Sequence, residues 1–446
     1  MKPIGKGDCL IMQMLCRLAR PIGTSQSFGY MNEFGWAILG ALVFSFCLET
    51  IAKWLNMSAV KAEIPASIAN LYDETAYVKS QTYLHKNTQL SIFQSGLGLL
   101  AMLLFWFMDG FGWLDHVTRS LGWGEVVTGL LFVGALALFN GLLGLPFAWY
   151  NTFVVEEQFG FNKTTAATFW LDRIKGVALG LIIGTPVLAL ILWLLGGMGP
   201  SAWLYVWLTM TALSLILQYI APTWIMPLFN TFEPLSDDHP LKTSVLSYAE
   251  KVKFPLANMM VMDGSRRSSK ANAFFTGFGK NRRIALFDTL IADHTVPELT
   301  AIVAHEVGHY KLRHLTKNMI TGFLEVGAYL YIMSLCLNLA PLYTTFGIAQ
   351  ISVHAGLVFF AMLFSPIQLV LGLLGNYVSR KHEFEADAFA LETAPEPQAL
   401  GEALKKMSVK HLSNLFPHPL FVFLNYSHPP LLQRLAAMDR VIKPKP

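Results

Sequence analysis

The sequence predicts a mainly α-helical membrane protein with seven spanning helices and a polar domain assembled from two separated segments. Three observations carry this. Hydrophobic residues make up 54% of the 446 residues and charged residues only 14%, against about 25% charged in an ordinary soluble domain. Several apolar runs reach the length, about 20 residues, that crosses a hydrocarbon core of about 30 Å. The charged residues gather in about 233–317 and 379–446, which together have the size of one ordinary domain, about 150 residues. This balance excludes a disordered or nucleic-acid-binding chain. The four cysteines are scattered without a CxxC pair, so neither a disulfide framework nor a thiolate zinc site is implied.

The elements follow in order. Residues 1–33 form a basic tail with Lys2, Lys6, Arg17 and Arg20. Its apolar core at 9–16 is short and has no small-residue cleavage site after it, a poor fit to a signal peptide. Span one covers about 34–54 and contains Glu49. Span two covers about 88–108, and span three about 126–150 with Pro146 near its end. No charged residue occurs from Gly176 to Phe232, and the turn-rich 196–200 divides that stretch into span four (176–195) and span five (203–228). The first polar segment, 233–317, comes next. Span six (318–340, with Glu325) and span seven (355–378) interrupt it before the second polar segment, 379–446. The chain therefore divides into a tail at 1–33, spans one to five at 34–232, half a polar domain at 233–317, two spans at 318–378, and the other half at 379–446. Lys and Arg split 5 against 28 between the two sides of such a bundle. The positive-inside rule then faces both polar segments to the cytoplasm and the N-terminus outward.

The first polar segment carries the chemistry. Thr295 and Glu298 form a capping-box pair with Pro297 in the first turn, and Leu299, Ile302, Val303 and Val307 recur at helical spacing. On that helix lies His305-Glu306-Val307-Gly308-His309, an HExxH motif. Its i, i+4 spacing puts both imidazoles on one face, able to share a zinc ion, with Glu306 beside them as a base rather than a ligand. A third ligand is needed. In the extended motif HExxHxxGxxH the glycine and histidine positions are Leu312 and Leu315 here, and His314 is one residue out of phase, so His314 reads as a structural histidine. After span seven, Glu383 and Asp387 lie four apart on one helical face, while Glu385 points away at about 200° round the helix. Glu383 is the preferred third ligand, with His382 as the alternative. Asp387, one turn on, is placed to fix the tautomer of a ligand histidine.

With those residues in hand, the chain resembles the integral-membrane zinc endopeptidases that process CAAX prenyl proteins. Four stretches carry the resemblance: HEVGH at 305–309, SRKHEFEADAFA at 379–390, NAFFTG at 272–277 and SHPPLLQRL at 427–435. FVVEEQFGFN at 153–162 resembles this multi-span subfamily rather than the shorter quality-control proteases. The resemblance implies seven helices around an internal chamber, an α+β gluzincin metalloprotease domain, one Zn²⁺ per chain, and peptide or protein substrates, prenylated ones included. It supports Glu383 as a ligand and Asp387 behind it. It also makes Asn272, Ala273 and Phe274 part of a substrate-binding edge strand.

The residues beside the motif fit this reading. Apolar 271–278 and 282–287, separated by Gly279-Lys280-Asn281, form a hairpin signature, and an edge strand can pair with an extended peptide. His428 is a candidate oxyanion donor, and Arg434 is placed with the substrate-binding residues. Lys270, Arg266 and Arg267 form a basic patch suited to a carboxylate or lipid head groups. Glu49 and Glu325 are ionisable groups within spans, candidates for function by default. The expected activity is zinc-dependent endoproteolysis with water activated by the metal and Glu306. A quality-control protease without prenyl specificity is the second reading, and a non-catalytic scaffold or transporter is a distant third. No endoplasmic-reticulum retrieval signal stands at the Lys-Pro-Lys-Pro end, which favours a bacterial inner membrane. Membrane lipids are the remaining partners, and no nucleic acid is expected.

Overall fold

Among the described residues, seven helices are long and apolar enough to cross a membrane, in agreement with the hydropathy reading. They are span one (Glu33–Ser58), two (Glu74–Phe107), three (Glu125–Glu156), four (Ala166–Gly197), five (Gly199–Leu228), six (His314–Cys336) and seven (Val353–Thr393). This computed structural model describes residues 31–60, 64, 74–276 and 283–442. Most of the basic tail, Gly277 and the Lys-Pro-Lys-Pro end lie outside the described residues.

Spans two, four and seven extend well beyond the apolar runs. The charged stretches 74–87, 166–175 and 379–393 contain no Gly or Pro, so nothing ends the helix where the hydrocarbon does. Span seven corrects an expectation. The helix does not end at 378 with the apolar run; Glu383 and Asp387 ride on the span itself, one helix of 41 residues. The ligand-bearing segment is thereby rigidly continuous with the membrane bundle. Spans four and five part at Gly199, whose φ of +62° supplies the left-handed turn.

The bundle is not filled by its own side chains. In the most apolar window of each span only 6–17% of residues are buried inside the protein, whereas a solid bundle buries a stripe of roughly a third of every helix. Most side chains of the spans therefore lie outside the protein's own packed cores. The non-spanning helix Gly110–Ser120 and the short helix Ala340–Thr344 contribute to one apolar core with the spans. Phe111, Phe346 and Phe359 interlock there, and buried Asp115 meets His354 at 2.8 Å.

The polar segments meet in one domain. Its four strands are β1 (Phe232–Pro234), β2 (Asn258–Met262), β3 (Ala273–Thr276) and β4 (Arg283–Phe287), in the order β1-β2-β4-β3. β2 and β4 run parallel, and the outer pairs are antiparallel. The expected hairpin is β3–β4, with Phe274 opposite Ala285, and β3 is the edge strand. Met259, Ile284 and Leu286 from the sheet share a core with Leu299, Ile302 and Val303 of the motif helix, Val296–Lys311. Ala390, Leu400, Ala403 and Met438 from the second segment complete that core.

The basic patch is not free. Arg267 donates two hydrogen bonds to Asp172 of span four, at 2.8 and 2.9 Å, and one to the Phe229 carbonyl. Lys270 pairs with Glu156 of span three at 2.9 Å and lies over the Phe161 ring. These two cations tie the polar domain to the spans, which leaves Arg266 as the exposed member. Glu49 and Glu325 both lie inside spans rather than at their ends, Glu49 half-buried and Glu325 exposed.

Candidate active site

The motif helix is anchored before it delivers any ligand. The Glu298 carboxylate accepts from the Thr295 backbone N–H at 2.8 Å, closing the capping box, and Lys406 pairs with Glu298 at 2.6 Å. Glu298 belongs to the first polar segment and the part-exposed Lys406 to the second, so the helix start is held by residues of both.

The helix then packs closely on span seven through Gly308. A Cβ built on Gly308 would lie 3.1 Å from both Cα and the carbonyl oxygen of Ala386. Backbone cannot swing aside as a side chain can. Gly308→Val should therefore force the two ligand-bearing helices apart, cost about 1–3 kcal/mol as overpacking does, and weaken metal binding. Thermal unfolding and metal content of the purified variant check this together.

The two helices bring three ligand atoms to one point. His305 Nε2 and His309 Nε2 lie 3.2 Å apart. Glu383 Oε1 is 3.2 Å from His309 Nε2, and Oε2 is 3.5 Å from His305 Nε2. Donors about 2.0–2.1 Å from a shared tetrahedral zinc stand about 3.3 Å apart, so the spacing is that of a ligand set. The chemistry agrees: a bare ring nitrogen and a carboxylate oxygen are both acceptors, and buried Glu383 Oε2 has no hydrogen-bond partner. The residues fit a metal ion. His382, the alternative ligand, does not enter this set; its ring stacks on His314 with centroids 3.9 Å apart.

Behind the ligands, Asp387 Oδ1 lies 2.8 Å from His305 Nδ1, which leaves Nε2 bare toward the centre. Arg434 is placed differently from the expectation. It is 8% exposed and donates through Nε and Nη2 to both oxygens of Asp387, at 2.8 and 2.6 Å, while Nη1 stands 3.3 Å from Glu383 Oε2. Two buried carboxylates on one helix would repel each other, and Arg434 lies against both. It lies behind the ligands, against Asp387 and Glu383.

Glu306 faces the site from the motif helix. Burial raises its carboxyl above the ordinary value, against the opposing pull of His305 and His309. Such a shift moves a base toward working pH. His428 sits exposed at the mouth, Nε2 3.4 Å from Glu383 Oε1 and Nδ1 2.9 Å from Ser427 Oγ. A cleft of about 400 Å³ opens beside it, lined by His411, Asn414, Tyr426 and Arg434 among others. Asn272 is exposed at the start of β3 and caps its own strand, Oδ1 accepting from Ala273 N at 2.9 Å. Ala273 and Phe274 follow on the free edge.

Two residues set aside by sequence reasoning stand in the site. His314 Nδ1 lies 3.0 Å from His309 Nδ1, and His314 Nε2 lies 3.0 Å from Glu385 Oε2.

The model described as CAAX prenyl protease N-terminal, five membrane helices, matches residues 53–231, and the model of peptidase family M48 matches 236–442. The Arabidopsis thaliana CAAX prenyl protease 1 homolog is 35% identical over 90% of this chain and 96% of that protein. The Saccharomyces cerevisiae CAAX prenyl protease 1 is 32% identical over 92% and 96%. A crystal structure of S. mikatae Ste24p superposes with a TM-score of 0.86 at 32% identity, covering 92% of this chain and 99% of that one.

Proposed function

The chain belongs to the CAAX prenyl protease family of M48 peptidases, and we propose from that premise that its metal centre cleaves a peptide bond in prenylated substrates. The enzyme is an integral-membrane metalloendopeptidase. In this reading His305, His309 and Glu383 hold one zinc ion per chain. When bound, the ion supplies a Lewis acid that polarises the scissile carbonyl and lowers the pKa of water. Glu306 takes the proton from the attacking water and returns it to the leaving amine. Asp387 holds His305 in the ligating tautomer. His428 reaches over the centre from the exposed loop and donates to the carbonyl oxygen as charge develops there. The substrate lies extended along β3, paired to the backbone at Asn272, Ala273 and Phe274. A chamber among the spans, which the family resemblance implies, takes the lipid tail.

The observation that carries this reading is the convergence of three ligand atoms with Glu306 beside them. The Lys and Arg asymmetry supports a cytoplasm-facing catalytic domain with the N-terminus on the opposite side. The relatives named above are eukaryotic, and the bacterial inner membrane finds no support among them.

A farnesylated CAAX peptide and its unprenylated twin test the substrate class. The prenylated peptide should be cleaved with a kcat/KM at least about tenfold higher, a difference of about 1.4 kcal/mol. Equal rates on both peptides would favour the quality-control reading.

A further inference from the structure

We propose that His314 is a positioning residue for the metal ligand His309, and that Glu385 sets its tautomer. The proposal rests on the reading of His309 as a ligand. His305 and His309 meet different partners behind the site. His305 turns its Nδ1 to the Asp387 carboxylate at 2.8 Å. His309 has no carboxylate there; the atom 3.0 Å from its Nδ1 is Nδ1 of another imidazole, His314.

Two ring nitrogens at 3.0 Å hydrogen-bond only if one carries a proton and the other is bare. Nε2 of His309 faces the ligand set and must be bare to bind an ion. Its Nδ1 therefore carries the proton and donates, so His314 Nδ1 must accept. A neutral His314 then bears its proton on Nε2, and that atom lies 3.0 Å from the Glu385 carboxylate. Glu385 selects the tautomer of His314, and His314 selects the tautomer of His309. Every proton in the chain is assigned by the atom it faces.

The surroundings hold this arrangement in place. His314 is 2% exposed, and its ring is fixed by the parallel stack on His382, with an interplanar angle of 8°. The far end of the chain is the part-exposed Glu385, whose other oxygen stands 3.8 Å from Lys381.

The same residues, His314, His382 and Glu385, also lie close enough to be read as a second metal site. Ring geometry argues against that. Imidazole lone pairs lie in the ring plane, and two rings 8° from parallel cannot aim them at one ion. The buried His382 Nδ1 without a partner belongs to a stacking plate.

Substitutions separate the roles. Zinc affinity is measured by chelator competition on purified full-length protein, and the visible spectrum of the cobalt-loaded form reports the ligand field. His314→Phe keeps the stack and removes the acceptor; it should weaken zinc about 10–100-fold, as loss of a group supporting a ligand histidine does, and shift the cobalt bands. His314→Asn places an amide oxygen where Nδ1 was and should restore both. His382→Phe keeps the stack and should leave zinc affinity unchanged. The proposal is overturned if His314→Phe binds zinc as tightly as wild type, or if His314→Asn is as weak as His314→Phe. It is also overturned if His382→Phe loses an ion that wild type holds, which would make the cluster a second metal site. A wild type without zinc overturns the metal-centre reading itself, whereas tight binding by both wild type and His314→Phe overturns only the role of His314.

Discussion

Glu306→Gln should retain about one zinc per chain and lose hydrolysis almost completely. The three ligand atoms converge without help from Glu306, which the motif places beside them rather than among them. Gln has the same length and keeps a hydrogen-bonding oxygen, so the fold and the ligand set stay in place. It cannot take a proton from water. General base and acid roles each contribute about 10²–10⁴-fold, and here one carboxylate performs both. The loss should therefore appear in kcat, at that magnitude or beyond, with KM little changed. Single-turnover cleavage alongside metal analysis of the same preparation gives both numbers. A variant that cleaves at the wild-type rate would remove Glu306 from the mechanism.

Arg434→Met should be the most destabilising single change around the site. Arg434 is buried and faces two carboxylates, Asp387 at 2.6 and 2.8 Å and Glu383 at 3.3 Å. Met fills similar volume but leaves Asp387 buried with His305 as its remaining partner. Removing one member of a buried charge network costs about 3–5 kcal/mol, because the stranded charge stays out of water. Zinc affinity should fall with stability, since Asp387 is then free to turn away from His305. Arg434→Lys should recover only part of the loss, because a single ammonium cannot reproduce the two-pronged contact. Thermal unfolding in detergent, with metal content, measures this. The sequence reading of Arg434 as a substrate-binding residue makes the opposite forecast: unchanged stability and zinc, with a raised KM.

The difference over Arg434 shows where the sequence stops being legible. The seven spans are readable because lipid requires long uncharged runs, and nothing tertiary can hide them. The pairs His305/His309 and Glu383/Asp387 are readable because i, i+4 spacing fixes a shared face on any helix. Arg434 lies on the C-terminal helix, Leu431–Ile442, and its meeting with Asp387 is set by packing between helices, which no local pattern records. The contact of His314 with His309 is hidden for a more specific reason. The motif spacing keeps His314 out of the ligand set, as the structure does, but its contact with His309 comes from a turn at Arg313, with a φ of +58°, after which a new helix begins at His314. No spacing rule carries across that break. Glu385 does point away from Glu383, as the helical wheel requires, and the neighbour it meets there is His314. Hydropathy ends span seven at 378, although no residue there signals the end of the helix.

The most direct test is a zinc titration of metal-free protein with cleavage of a farnesylated peptide as the readout. Activity should be absent before zinc is added, rise in proportion to zinc, and level off at one ion per chain. Cleavage by the fully metal-free protein, or a plateau reached only at two ions per chain, would contradict a single centre on His305, His309 and Glu383.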